Sequence, residues 1–240
     1  MTSDTGLIAS AQASVRRSTG FMLAAMLLLP AVFIRALAFT PAEATQGEAQ
    51  KIFYIHAPSA WVAFLAFGVV GICSVLYLVL KEPRLDRLAA SSAEVGVIFT
   101  TAVLVTGPIW GRAIWGAWWT WDARLTSTLF LWFIYFGYQV LRSAVHEPGQ
   151  RARFSAVLGI LGALLVPFIH ISVNLFRTLH PKPVVLKPEG PTLPGGMLAT
   201  LLFAFVAFTI IYAAMLWQRY SRATLDDARD AARAEADDRA

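Results

Sequence analysis

The chain has 240 residues, 57 % of them hydrophobic and 15 % charged, with a formal charge of +5. A soluble domain would carry about 25 % charged residues, and the basic residues form no stripe beside exposed aromatics of the kind that grips nucleic acid. A helical membrane protein fits the composition instead.

A bilayer core takes roughly 20 apolar residues per helix. Six runs approach or reach that length, at about 20–39, 57–80, 93–109, 125–141, 154–173 and 197–217. No ten-residue alternation of the kind a membrane barrel shows is present, and backbone groups in lipid must be satisfied within a helix. The expected fold is an all-α integral membrane protein. Residues 1–218 would form one six-helix domain and 219–240 a charged tail, of which 226–240 reads as a solvated helix or a frayed end. The first run follows Arg16-Arg17 and ends in Ala36-Leu37-Ala38, the outline of a signal peptide. Its apolar core is long for one, so it is expected to remain as a transmembrane helix.

Lysine and arginine near helix ends set orientation. The N-terminus, the second and fourth connections and the tail hold thirteen of them, against six (Lys51, Arg112, Arg124, Arg177, Lys182 and Lys187) in the other connections. Both termini are therefore expected in the cytoplasm. Residues 40–56, 110–124 and 174–196 would lie on the outer face.

The single cysteine, Cys73, falls mid-run and is expected to be a small buried apolar residue. With no C-x-x-C or C-x-x-C-H, the chain is neither a thiol oxidoreductase nor a covalent c-type cytochrome. A nucleotide-binding G-x-x-x-x-G-K-[ST] loop is also absent from the sequence, so any use of ATP would belong to a partner.

Four histidines divide by position. His146, beside Glu147-Pro148, is expected to be an ordinary surface residue. His56 lies in YIHAPSAW at the outer mouth of the second run. Pro58 there suits a helical first turn and biases Ala57 toward extended backbone. His180 lies in FRTLHPKP, where Pro181 and Pro183 stop a helix, on the same outer side. His170 lies below the surface in PFIHISVN. An intramembrane histidine is a functional suspect, but His170 could equally be a neutral residue bonded to a neighbouring helix or to Asn174, four positions on.

Between the third and fourth runs, five of the eight tryptophans fall within twelve residues: Trp110, Trp115, Trp118, Trp119 and Trp121, followed by Asp122. If this segment is helical, Trp115, Trp118, Trp119 and Asp122 form one stripe, with Trp121 pointing elsewhere. Asp122 could accept indole N–H groups or pair with Arg124. An interfacial aromatic belt is one explanation, yet five indoles exceed what two helix ends need. Zinc could draw on His56, His180, Asp122, Glu43, Glu48 and Glu189, but leaves the tryptophans unexplained. Haem meets the combined requirement, with two imidazoles for iron, aromatic surface for the ring and cations for the propionates. Arg124 is favoured for its bidentate fork and Lys51 is second. Arg112, Arg177 and Lys182 lie on the same face.

WGAWWTWDARLTS resembles the tryptophan-rich WWD signature of the haem-handling superfamily. More closely, YIHAPSAW, VTGPIWGRAIWGAWWTWDARLTS and PFIHISVNLFRTLHP, in a chain of this length with six runs, resemble the haem exporter protein C family of bacterial cytochrome c maturation. The resemblance implies a non-enzymatic protein of the bacterial inner membrane. It would bind b-type haem transiently and non-covalently at its periplasmic face, through the histidines at positions 56 and 180 that flank the WWD segment. It would load a membrane-anchored periplasmic haem chaperone, alongside two ATP-binding-cassette transporter subunits and a small membrane subunit. The resemblance implies that Lys51 stands where relatives carry arginine. The alternative is a permease-type subunit moving haem or another substrate through its own helices.

Overall fold

The computed structural model describes residues 2–181 and 190–238. Over that length the chain is helical, with an isolated Glu43–Gly47 bridge and no strand among the described residues. The helices are α1 (Thr2–Met26), α2 (Leu28–Ala38), α3 (Phe53–Leu80), α4 (Pro83–Trp115), α5 (Ala123–Ala144), α6 (Pro148–Leu175) and α7 (Gly195–Asp237), with a 3₁₀ turn at Glu48–Ile52 before α3. Lys182, Pro183, Lys187 and Glu189 lie outside the described residues.

The first run becomes two helices for a local reason. Pro30 has no N–H to donate to the carbonyl of Met26, and its ring crowds that carbonyl. The chain therefore breaks at Leu27, whose N–H turns to Ala24 instead (3.1 Å). Five stretches of the described residues are long and apolar enough to cross a bilayer: Gly6–Ala38, Glu48–Leu80, Pro83–Trp115, Pro148–Leu175 and Gly195–Asp237. Helix α5 completes the expected six. Its 22 residues span about 33 Å, but its tyrosines, tryptophan, Gln139 and terminal arginines make it less apolar.

Helix α3 is the central element and packs on α4, α6 and α7; α5 closes against α4 and α6, and α1 lies along α7. Small residues let the backbones approach, as membrane helix pairs generally require. A Cβ placed on Gly71 of α3 would lie 2.6 Å from the Cβ of Ala163 on α6. Midway along α3, Phe67 stacks on Tyr135 of α5 at 3.8 Å and 6°, and Tyr135 donates to the Gly159 carbonyl at 2.9 Å.

The opposite end is fastened by charge. Arg142 donates two bonds to Asp86, at 2.6 and 2.9 Å, Arg87 donates to Asp227 through Nε at 2.8 Å, and Arg219 pairs with Glu94. Of the two forms expected for residues 226–240, the helix is present as far as Asp237. Helix α7 runs on to Asp237 with Ser221 and Leu225 buried, and the Ser221 hydroxyl meets that of Ser14 on α1 at 3.0 Å.

Candidate functional site

Three non-helical segments meet at the other end of the bundle: the 3₁₀ turn leading into α3, the link 116–122 between α4 and α5, and the stretch 176–181 after α6. Because the 3₁₀ turn runs straight into α3, the helix begins at Phe53, earlier than expected. His56 and Ala57 are helical, and Pro58 sits in the second turn, not the first. The extended backbone expected at Ala57 is overridden by that upstream nucleus. His56 is consequently fixed by the helix and is 9 % exposed.

The His56 and His180 rings lie 6.3 Å apart between centroids, inclined at 37°. Each has its Nδ1 engaged. The Thr106 hydroxyl gives its own hydrogen to the Ala102 carbonyl (2.7 Å), so it accepts from His56 Nδ1 (2.9 Å). His180 Nδ1 meets the Pro181 carbonyl (3.0 Å), which can only accept. Both imidazoles are thereby held as Nδ1–H tautomers with the Nε2 lone pairs free, the form in which histidine binds a metal. Burial and the neighbouring Arg124 guanidinium push the His180 pKa down to about 4, so this ring is neutral at physiological pH.

The tryptophan segment is not a helical stripe. Gly116 adopts φ +73°, a left-handed C-cap favoured by glycine, and ends α4 at Trp115. The next helix starts only after Asp122, whose Oδ1 accepts the Leu125 N–H (2.9 Å) as N-cap. The indoles therefore splay. Trp115 and Trp119 turn inward, while Trp118 and Trp121 are 60 % and 78 % exposed. Asp122 neither accepts an indole nor pairs with Arg124 among the described contacts. Its Oδ2 accepts from Thr178 (2.7 Å) and Thr120 (3.3 Å).

Inward of the histidines α3, α4, α5 and α6 line a narrow cavity of about 70 Å³, partly open to solvent. That is well below the roughly 300–1,000 Å³ usual for cofactor-sized sites, so the space inward of the histidines does not by itself hold a haem. Its mouth carries His56, His180, Trp110, Trp115, Trp119 and Arg124. Its inner wall is Ala63, Phe64, Val103, Leu131 and Ile169. From His56 to Ala63 is seven helical residues, or about 10 Å of depth. The stacked Phe67 and Tyr135 lie one turn further along α3 and α5.

Two donors at the mouth lack partners among the described residues. Arg124 lines the cavity and forms no ion pair, and the buried Nε1 of Trp119 has no acceptor. Lys51 is committed elsewhere, to Glu48 (2.8 Å) and the Leu37 carbonyl (2.9 Å), and does not line the cavity. Arg112 caps α4 by donating to the Gly116 carbonyl. Arg177 is exposed outside the cavity, as are His170 and Asn174 on the outer side of α6. His146 is at the far end, its Nδ1 3.1 Å from the Ala144 carbonyl. No three His, Cys, Asp or Glu side chains gather into a metal cluster among the described residues, and Glu43 is tied to the Thr45 and Gln46 amides.

Four contributors lie inside the quoted segments but were given no role of their own from the sequence. Thr106 and Thr178 are single hydroxyls. Trp110 packs edge-on to His56 (5.8 Å) and donates to Gln46 (3.2 Å). Gly107 leaves room for the imidazole, since a Cβ there would sit 3.2 Å from His56 Cε1. The TGP step, a glycine before proline on the histidine-facing side, was the one available signal.

The family model described as heme exporter protein C matches residues 8–235. The chain belongs to the heme exporter protein C family. The heme exporter protein C of Bradyrhizobium diazoefficiens is 38 % identical over 195 residues, covering 81 % of this chain and 74 % of that protein. That of Haemophilus influenzae is 36 % identical over 200 residues, covering 83 % and 81 %. A putative cytochrome c biosynthesis mitochondrial protein of Marchantia polymorpha is 36 % identical over 168 residues, covering 70 % and 71 %. The match to heme exporter protein C spans all three segments that build the cavity mouth.

Proposed function

We propose that this chain holds haem at the outer end of its bundle, with His56 and His180 as axial ligands, and passes it to a membrane-anchored periplasmic haem chaperone. Membership of the heme exporter protein C family supports the broad part, haem handling for cytochrome c biogenesis. The histidine pair carries the specific part. Two imidazoles bound to one metal ion from opposite sides, at about 2.0–2.1 Å per nitrogen, have centroids roughly 6 Å apart, and the observed separation is 6.3 Å.

The remaining groups fit the same cargo. Trp115 and Trp119 offer aromatic surface to the ring. Arg124 and the free indole N–H of Trp119 suit the propionates, since a guanidinium binds a carboxylate bidentately. Lys51 would have to leave Glu48 to serve as a second cation. Cys73 is buried in the core away from the cavity, so the haem would be held non-covalently, as b-type. The chain ligates, orients and shields; the reactivity is that of haem, and no enzymatic step is assigned.

Delivery is favoured over permeation. The Phe67–Tyr135 stack and the close approach of Gly71 to Ala163 pack α3 tightly against α5 and α6, which supports a bundle without an open route. The excess of basic residues on the segments at the opposite end supports cytoplasmic termini and a periplasmic site in the bacterial inner membrane. Transporter subunits that use ATP and a small membrane subunit complete the proposed assembly. Trp118 and Trp121, exposed beside the mouth, are the surface the chaperone would meet.

The test is purification from membranes of cells making the chaperone. Haem is expected to accompany the parent chain and to be lost from the His56→Ala/His180→Ala double variant. A colourless parent chain would overturn the proposal. Alkaline phosphatase fused at Trp121 should be active and fused at Asp237 inactive; the reverse would overturn the orientation.

A further inference from the structure

The two histidines are held very differently. His56 sits on a helix, buried, with a neighbouring helix supplying its Nδ1 partner. His180 sits on a non-helical segment, and its own Nδ1 contact is to the next residue's carbonyl, which moves with it and fixes nothing relative to the bundle. What ties that segment to the rest of the site is a short chain of bonds. The Thr178 hydroxyl accepts the His180 N–H (3.1 Å) and donates to Asp122 Oδ2 (2.7 Å). The other oxygen, Asp122 Oδ1, caps α5 through the Leu125 N–H (2.9 Å). One carboxylate thus joins the end of the tryptophan segment, the start of α5 and the backbone of the second histidine.

We propose that Thr178 is a positioning residue for His180 and that Asp122 acts on the ligand through it, making the tryptophan segment and His180 one mechanical unit. This rests on the haem reading above. It gives the aspartate after the tryptophans a role that needs no contact with the cargo. Opening the Asp122–Thr178 bond frees His180 to leave the metal, while His56 stays fixed by α3. Groups of this kind, one shell out from a ligand, alter metal affinity by about 10- to 100-fold when removed.

The variants separate the roles. Thr178→Ser keeps the hydroxyl and Thr178→Val removes it at the same shape. Asp122→Asn keeps a good N-cap oxygen but presents an amide N–H where Oδ2 accepted. Purified protein is titrated with haemin and followed by absorption and electron paramagnetic resonance. Thr178→Val and Asp122→Asn are expected to bind haemin 10- to 100-fold more weakly and to show a high-spin fraction. Free imidazole should convert that fraction to low spin. Thr178→Ser should match the parent. Helix content by circular dichroism identifies an unfolded variant, and the other then decides. Unchanged affinity and spin state in the folded variant would overturn this inference while leaving the histidine assignment intact. Failure of the haem reading looks different: the parent itself would show no bis-imidazole signature for His180→Gly to remove.

Discussion

Thr106 and His56 form a fixed pair. The Thr106 hydroxyl donates to its own helix and accepts the His56 Nδ1–H at 2.9 Å, so the ring of His56 has one tautomer and a defined direction before any ligand arrives. Ordering of this kind lowers the cost of capture, because fewer side-chain rotamers remain to be fixed on binding.

Gly107, the next residue, sets how closely that ring can pack. A methyl group there would lie 3.2 Å from His56 Cε1, so the imidazole must shift by a few tenths of an ångström. Gly107→Ala is expected to weaken haemin binding severalfold, and Gly107→Val more strongly, with helix content unchanged. Absorption titration checks this; equal affinities would show that the ring tolerates displacement.

Much of the fold was legible because a bilayer demands long apolar helices, and five of the six runs mark themselves by composition alone. The convergence of His56, the tryptophans and His180 followed from loop order and charge. The form of the tryptophan segment did not. Its i, i+3, i+4, i+7 spacing suggested a helix, whereas Gly116 at φ +73° stops α4 one residue after Trp115. A glycine at that position is itself a termination signal, outweighed in the reading by the regular indoles. Thr106 and Thr178 were illegible because a lone hydroxyl has no spacing. The onset of α3 was shifted by an upstream 3₁₀ turn that no periodicity reveals.

Among the described residues Arg124 lines the cavity mouth without an ion pair, whereas Lys51 is paired with Glu48. A charge-assisted hydrogen bond contributes about 1.5–3 kcal/mol, so Arg124→Leu should lower haemin affinity by roughly 10- to 100-fold. Arg124→Lys should recover only part, since an ammonium lacks the planar fork. Lys51→Met should change affinity less than Arg124→Leu does. Haemin titration in detergent ranks the three, and a larger effect at Lys51 would reassign the propionate contact.

The α3–α6 seam gives a prediction independent of any ligand. Gly71→Ala drives a methyl to 2.6 Å from Ala163 Cβ, and overpacking of this kind costs about 1–3 kcal/mol. The melting temperature in detergent should fall, and adding Ala163→Gly should restore most of it. No recovery in the double variant would mean that the strain lies elsewhere.

The central claim is that one metal is held between His56 and His180. Its most direct measurement is the electron paramagnetic resonance spectrum of the haemin-loaded protein beside the His56→Gly and His180→Gly variants. The account predicts a low-spin bis-imidazole signal in the parent, a high-spin signal in each variant, and return of the low-spin signal when free imidazole is added. A bis-imidazole signal that survives unchanged in either variant would contradict it.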